Sequence, residues 1–313
     1  MSKKKEKKAL TKDQQIEKLK KDNLRFQVEI LLIFAAFLGL FFFNYNYTIF
    51  KVLMAGGYYD TATLDKVYAE ALGTDAQGHY LKNFDNTAIE LFTERVQAKN
   101  QDHFTTLFEK GGLSAEHLQM DTDGKKTNFQ VINNDTGCLT LTAFSSSAFY
   151  AVKASNEELK SCKNLIIDMR DNSGGVLKYA DKTAEMFLPK GKTIATYKYR
   201  SKLLTSMPVS KNSNPHTFEH IYILQNEGTA SAAEVFVNAL KQNLDNVTVV
   251  GEKSYGKAVG QTEMKLLGGY GFKATTLQIL TPDGSCINHI GISPDIVTEN
   301  PLEKAKELIA KSK

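Results

Sequence analysis

The chain has 313 residues, 42% of them hydrophobic, with 21 glycines and 6 prolines. That composition excludes a disordered or collagen-like polymer and fits one large globular domain or two modest ones. Net charge is +4, but residues 1–25 hold ten basic and four acidic side chains, so this segment carries +6 and the rest sums to −2. A nearly neutral body gives no electrostatic reason to expect nucleic-acid binding.

In chain order, residues 1–27 read as a basic tail. Ile30 to Phe43 is an uninterrupted apolar stretch, with Val28 before it and Tyr45, Tyr47, Ile49 and Phe50 after it. Residues 28–50 are therefore long enough for a bilayer-spanning helix of about 20 residues. The tyrosines would lie in an aromatic belt, and Lys51 closes the far end. The lysine-rich side would stay cytoplasmic, which predicts a single-pass cell-membrane protein with everything after about residue 51 outside. One rival is a cleavable signal peptide, but bulky residues from Asn44 to Tyr47 stand where a small-x-small cleavage pattern is needed. The other is a buried core helix, whose many phenylalanines and lack of a polar face would need complete cover. Ile16, Leu19, Asn23, Phe26 and Ile30 have near-heptad spacing, too short a run to prefer self-association over a solvated stem.

Residues 51–126 are predicted to be a helical subregion. Leu64, Val67, Tyr68, Ala71 and Leu72 recur at helical spacing, as do Ile89, Phe92 and Val96, and Gly111-Gly112 is predicted to end the run. Residues 127–313 alternate strands and helices. Strands are predicted at Cys138 to Phe144, Asn164 to Met169, Ile221 to Leu224, Val247 to Val250 and Gly271 to Leu280. Helices are predicted at Ser155 to Lys163 with Ser155 as N-cap, at Tyr179 to Phe187, and from Ser231 to about Gln242. Pro282-Asp283-Gly284 is a turn. The order implies a layered α/β domain with a largely parallel sheet. Cys138, Cys162 and Cys286 form no C-x-x-C pair and have no metal-ligand spacing with the six histidines; three unpaired, half-buried thiols are the favoured reading, with one disulfide plus a free thiol as the alternative.

The chemistry concentrates in three segments. In Asn226-Glu227-Gly228-Thr229-Ala230-Ser231-Ala232-Ala233-Glu234 a serine stands where an apolar strand becomes a helix. Ser231 to Glu234 is also an S-x-x-E capping box, and on that tetrapeptide alone the cap is the better reading. The context favours a nucleophile: alanines leave room for a substrate carbonyl, and a helix N-terminus stabilises developing negative charge. A serine nucleophile needs a base. His79, His103, His117, His216, His220 and His289 lie in no glycine-flanked motif and read as surface or packing residues. Lys257, beside Gly256 and Ala258, is the candidate, because tight packing would hold its amine neutral. Lys253 in the same loop is the rival, and Gln261 could orient Lys257. For the oxyanion, the Ala232 N–H is one donor. A second could come from Asp168-Met169-Arg170-Asp171-Asn172-Ser173-Gly174-Gly175, although a plain turn after a strand is the simpler reading of that loop. Asp168 and Arg170 read as structural, fixing the loop by an ion pair or hydrogen bonds.

These segments, with Leu280-Thr281-Pro282-Asp283-Gly284-Ser285-Cys286-Ile287 and Gly291-Ile292-Ser293-Pro294-Asp295, resemble in order the motifs of the C-terminal processing peptidases, or tail-specific proteases. The resemblance covers about half the chain. It implies a crotonase-like α/β protease core with Ser231 as nucleophile, Lys257 as general base and Gln261 as its partner. Ala232 and a glycine of the Gly174–Gly175 pair would form the oxyanion hole. Gly256-Lys257 places the chain with the Ser–Lys branch rather than with relatives similar to tricorn core proteases, which use histidine. Two departures stand out. There is no room for a PDZ domain between the helical subregion and the core, and Ala258 replaces the usual glycine after the lysine. The expected activity is cleavage of extended or unstructured polypeptides through an acyl-enzyme, with no metal or cofactor. A homo-oligomer or a regulatory partner is left open. The alternative is a catalytically weak peptide-binding scaffold of the same fold, and a small-ester hydrolase is a third option.

Overall fold

In the computed structural model, which describes residues 12–43, 93–94, 97–98, 102–133 and 135–311, the apolar runs read from the sequence become the middle of a parallel sheet. The first element is α1 (Lys12–Phe43). The chain then supplies β1 (Thr106–Phe108), α2 (Gly112–Gly124), β2 (Asn128–Asn133), β3 (Thr136–Thr140), α3 (Ser146–Ala154), α4 (Asn156–Ser161), β4 (Asn164–Asp168) and α5 (Leu177–Glu185). It continues through β5 (Thr196–Tyr199), β6 (His220–Gln225), α6 (Ala232–Asn243), β7 (Val247–Gly251), β8 (Val259–Lys265), β9 (Gly271–Leu280), β10 (Ile296–Val297) and α7 (Pro301–Lys311).

The larger sheet has the order β10-β7-β6-β4-β3-β2 and is parallel except for β2, which pairs antiparallel with β3. Its central strands are covered on both faces, which is why they are continuous apolar runs rather than alternating ones. Leu165, Ile167, Ile221 and Ile223 belong to the main core with Val152 of α3, Ala180 and Ala184 of α5 and Phe236 of α6. Their neighbours Ile166, Tyr222 and Leu224 point the other way and pack against Ala305 and Ile309 of α7. The second sheet is antiparallel and built on β9, with β1 and β5 along one edge and β8 along the other.

The structure departs from the sequence expectations at several points. Gly111-Gly112 does not end a helix: Gly111, at φ 81, joins β1 to the start of α2. All eight apolar residues behind the helical expectation for 51–126, from Leu64 to Val96, lie outside the described residues. β1 is a three-residue strand recruited by the edge of β9, too short to show a period. Ser155 sits between α3 and α4 and donates its hydroxyl to the Ala151 carbonyl, so it closes one helix instead of capping the next with its side chain. α3 itself was hidden in a Ser-rich stretch and is capped by the Ser145 hydroxyl, which accepts from the Ala148 N–H. Residues 28–43 of the expected span are helical as part of α1, and 44–50 lie outside the described residues. Among the described residues no helix is long and apolar enough to cross a membrane. All three cysteines are free thiols, two of them buried.

Phe236 joins α6 to the layers around it. It is fully buried, 5.6 Å from Phe144 and edge-on to Phe187 at 6.0 Å between ring centroids. Phe236→Ala is expected to lower unfolding free energy by about 3–5 kcal/mol. Urea unfolding checks this, and a loss below about 1 kcal/mol would show that α6 is not held by that cluster.

Candidate active site

Adjacent parallel strands β4 and β6 end side by side, so the loops that follow them meet. After β6 the chain turns through Asn226 to Ala230 and enters α6 at Ser231. Ser231 has φ 58 and ψ −119, a conformation that L side chains rarely adopt. Such a backbone costs about 1–3 kcal/mol and persists only where surrounding contacts enforce it. Those contacts are specific. The buried Thr229 hydroxyl donates to the Met169 carbonyl at 2.9 Å, and the Ala230 N–H donates to the Asn172 carbonyl at 3.0 Å. Both acceptors lie in the loop after β4, which is also where Arg170 forms its ion pair with Asp168, as expected.

Glu234 does more than complete a capping box. Its carboxylate is 1% exposed and accepts four hydrogen bonds. Oε2 takes the backbone N–H of Ser231 at 2.8 Å and that of Lys257 at 2.8 Å. Oε1 takes the Ser254 hydroxyl at 2.6 Å and the Gly256 N–H at 2.7 Å. One buried anion therefore ties the serine turn to the lysine loop. The loop is braced from behind, where Ser254 Oγ also accepts the Ile292 N–H at 2.7 Å. The Tyr255 N–H donates to the Thr229 carbonyl at 3.0 Å.

Ser231 and Lys257 line one narrow, mostly apolar cleft, with Asn238, Ala258, Ile279 and Ile287 among its walls. Burial lowers the Lys257 pKa to about 8, helped by the charge of Lys273 and opposed by Glu116, Asp102 and Glu234. The rival Lys253 is exposed and does not line the cleft. The Lys257 Nζ lies 4.1 Å from the centroid of the Phe104 ring. Among the described residues no hydrogen bond joins it to the Ser231 hydroxyl. Gln261, expected to orient Lys257, stands on β8 and its Nε2 donates instead to Thr275 Oγ1 at 3.3 Å. β8 pairs with β9 from Val259 on, and that pairing carries Gln261 to Thr275.

The two glycines differ. Gly174 and Gly175 have φ 107 and 133, and a Cβ on Gly174 would come within 2.9 Å of Ser231 Cβ. Only glycine permits this loop to lie against the serine turn. The Gly174 N–H is already taken by Asn172 Oδ1 at 2.9 Å. Among the described residues, the N–H groups of Gly175 and Ala232 have no acceptor, which leaves these two for an oxyanion. No described histidine lines the cleft: His216 is buried against Phe187 and Phe218, and His79 lies outside the described residues. Among the described residues no cluster of His, Cys, Asp or Glu could hold a metal ion.

The model of "Peptidase family S41" matches residues 135–298, just over half of the chain. The chain belongs to peptidase family S41. Within it, the chain is similar to the "Probable CtpA-like serine protease" of Staphylococcus epidermidis, 29% identical over 231 residues, 72% of this chain and 46% of that protein. The protein of the same description in Staphylococcus aureus is 29% identical over 239 residues, 74% of this chain and 47% of its own length. The chain thus spans about half the length of the curated relatives it matches. A lipoprotein structure from Streptococcus agalactiae shares the fold, with a TM-score of 0.64, 20% identity, and coverage of 85% of this chain and 95% of that one. These likenesses place the chain among the C-terminal processing peptidases with a mixed α/β fold.

Sequence reasoning read Glu234 only as a helix cap, and the S41 match does not reach Asp102 or Phe104. Glu234→Gln keeps the size but replaces one acceptor oxygen with a donor facing N–H groups. It is expected to destabilise the fold by more than about 2 kcal/mol, because buried donors lose their acceptor. An unchanged denaturation midpoint would show that the carboxylate does not hold the two loops together.

Proposed function

We propose that the chain is a serine endopeptidase working by a Ser–Lys dyad on extended polypeptide. The reading is carried by one observation: a serine in a strained turn at a helix N-terminus and a lysine with a depressed pKa line the same cleft. In this mechanism the neutral Lys257 amine takes the proton of Ser231, whose Oγ attacks the scissile carbonyl. The N–H groups of Gly175 and Ala232 and the N-terminus of α6 receive the oxyanion. Collapse gives an acyl-enzyme and an amine, which leaves with the proton held by Lys257. Water, deprotonated by the same amine, then hydrolyses the ester. The Lys257 side chain must first leave the Phe104 ring and swing to Ser231. The substrate backbone is held extended against a sheet edge, and the mostly apolar wall of the cleft favours an apolar side chain beside the cut.

The proposal extends to location. The described side chains of α1 include a run of exposed apolar residues, with Leu31 68% and Ile33 70% exposed. Following a lysine-rich segment, they support an anchor through residues 28–50, a cytoplasmic N-terminus and an extracytoplasmic peptidase. That no hydrogen bond joins Lys257 to the Ser231 hydroxyl among the described residues favours a second reading in which the chain is a catalytically weak peptide-binding scaffold. Covalent labelling separates the two: a serine-reactive fluorophosphonate labels Ser231 in a peptidase and leaves a scaffold unlabelled.

Ser231→Ala and Lys257→Ala are each expected to reduce cleavage of an unstructured peptide by about a thousandfold or more, while Lys253→Ala stays near wild type. Loss in the Lys253 variant with retention in the Lys257 variant would reassign the base. The free-amine fraction of Lys257 grows as pH rises, so kcat/KM should climb through a midpoint near 8 and then level. A flat profile between neutral and alkaline pH, with chemistry limiting, would contradict a lysine base.

A further inference from the structure

The segment just before β1 makes a contact with the base that the S41 core does not contain. Asp102 is buried, and its Oδ2 accepts the Thr105 hydroxyl at 2.6 Å. Its Oδ1 accepts the Phe104 N–H at 2.9 Å and the Thr275 hydroxyl of β9 at 3.1 Å. The Thr275 N–H returns to Thr105 Oγ1 at 3.0 Å, and Gln261 donates to Thr275. Gln97 adds a bond from its Nε2 to the Thr105 carbonyl at 2.6 Å. Phe104 is thus fixed at the backbone by a buried carboxylate and a β-strand. Its ring face is turned to Lys257, with Nζ 4.1 Å from the centroid. A ring face attracts an ammonium through its quadrupole and gives a neutral amine no comparable hold.

We propose that Phe104, clamped by Asp102, Thr105 and Thr275, is a positioning residue that seats the protonated Lys257 side chain and releases it toward Ser231 once the proton is gone. The proposal rests on the Ser–Lys reading. It gives Gln261 a role one step removed from the lysine: it braces the clamp through Thr275 and leaves the amine free to move. The charged groups around the amine come from every side: Lys273 on β9, Glu116 on α2, Asp102 before β1 and Glu234 on α6. Lys273 is itself paired with Glu116 at 2.5 Å, and the aromatic face lies 4.1 Å from the ammonium.

Three variants of the full chain test the seat. Phe104→Leu keeps an apolar cover but removes the ring quadrupole, Phe104→Ala opens the amine to water, and Phe104→Tyr keeps the aromatic face. The first readout is the titration of Lys257, followed by the carbon-13 shift of its ε-carbon in lysine-labelled protein and assigned by its loss in Lys257→Arg. The midpoint is expected to fall by about half a pH unit in the Leu variant, where the ammonium loses its partner. It should rise in the Ala variant, where burial is relieved, and stay at the wild-type value in the Tyr variant. The second readout is the pH profile of peptide turnover, whose midpoint should move to lower pH with that of the amine in the Leu variant and stay at the wild-type value in the Tyr variant. Equal midpoints in the wild type and the Leu variant, or a fall in the Leu variant that the Tyr variant shares, would overturn the seat. Failure of the base assignment looks different: turnover would survive in Lys257→Ala while the midpoints still moved with residue 104.

Discussion

A single buried carboxylate holds this site together. Glu234 accepts the N–H of Ser231 and the N–H of Lys257 on the same oxygen, and binds Ser254 and Gly256 with the other. Serine and lysine come from segments that share no strand or helix, yet each is anchored to one anion through its own backbone. Both anchors use backbone N–H groups, so neither side chain is spent on them. Such an anion is stable in the interior only because its four donors are arranged around it, and removing them would leave a charge in a place that cannot solvate it. The arrangement also enforces the strained turn at Ser231, since the bond from its N–H is made only with α6 entering from that direction.

Around this point the fold supplies two rigid walls. Adjacent strands β4 and β6 set the loop of Gly174 and Gly175 against the serine turn, fixed by Asn172, which donates its side-chain amide to the Leu141 carbonyl at 2.7 Å and accepts the Gly174 N–H. The antiparallel sheet built on β9 brings the other wall, with Ala258, Ile279 and the clamp on Phe104. The proposed chemistry then needs only one moving part, the lysine side chain. An amine that is cationic on an aromatic face and neutral beside a hydroxyl is a different partner in each place, and the protonation state selects between them.

The sequence made the middle of this structure legible and its edges obscure. Asn164 to Met169 and Ile221 to Leu224 could be read because a parallel strand buried on both faces has no polar alternation to confuse it. Ser231, Lys257 and the two glycines stand out on short motifs, although the local letters alone favour a helix cap at Ser231 and a plain turn at the glycines, and the structure brings Ser231 and Lys257 to one cleft with Gly174 against the serine turn. Gln261 was found but its partner was not, because the pairing of β8 with β9 decides where its amide points. Phe104 left no local signal. Its clamp joins Asp102 to Thr275 across 173 positions, and a single aromatic residue in an irregular segment looks like any other. The double role of Glu234 was masked by the capping box, which explains the residue fully at the level of four consecutive letters and says nothing of the loop that arrives twenty residues later.

The central claim is that Ser231 and Lys257 act as one unit. A double-mutant cycle on peptide turnover by the full chain, comparing Ser231→Ala, Lys257→Ala and the combined variant, tests it most directly. Residues that share one step lose their activity together, so the combined variant should be no slower than either single one. Losses that multiply, leaving the combined variant slower than each by the other's full factor, would mean that the two side chains serve separate functions and that the dyad does not exist.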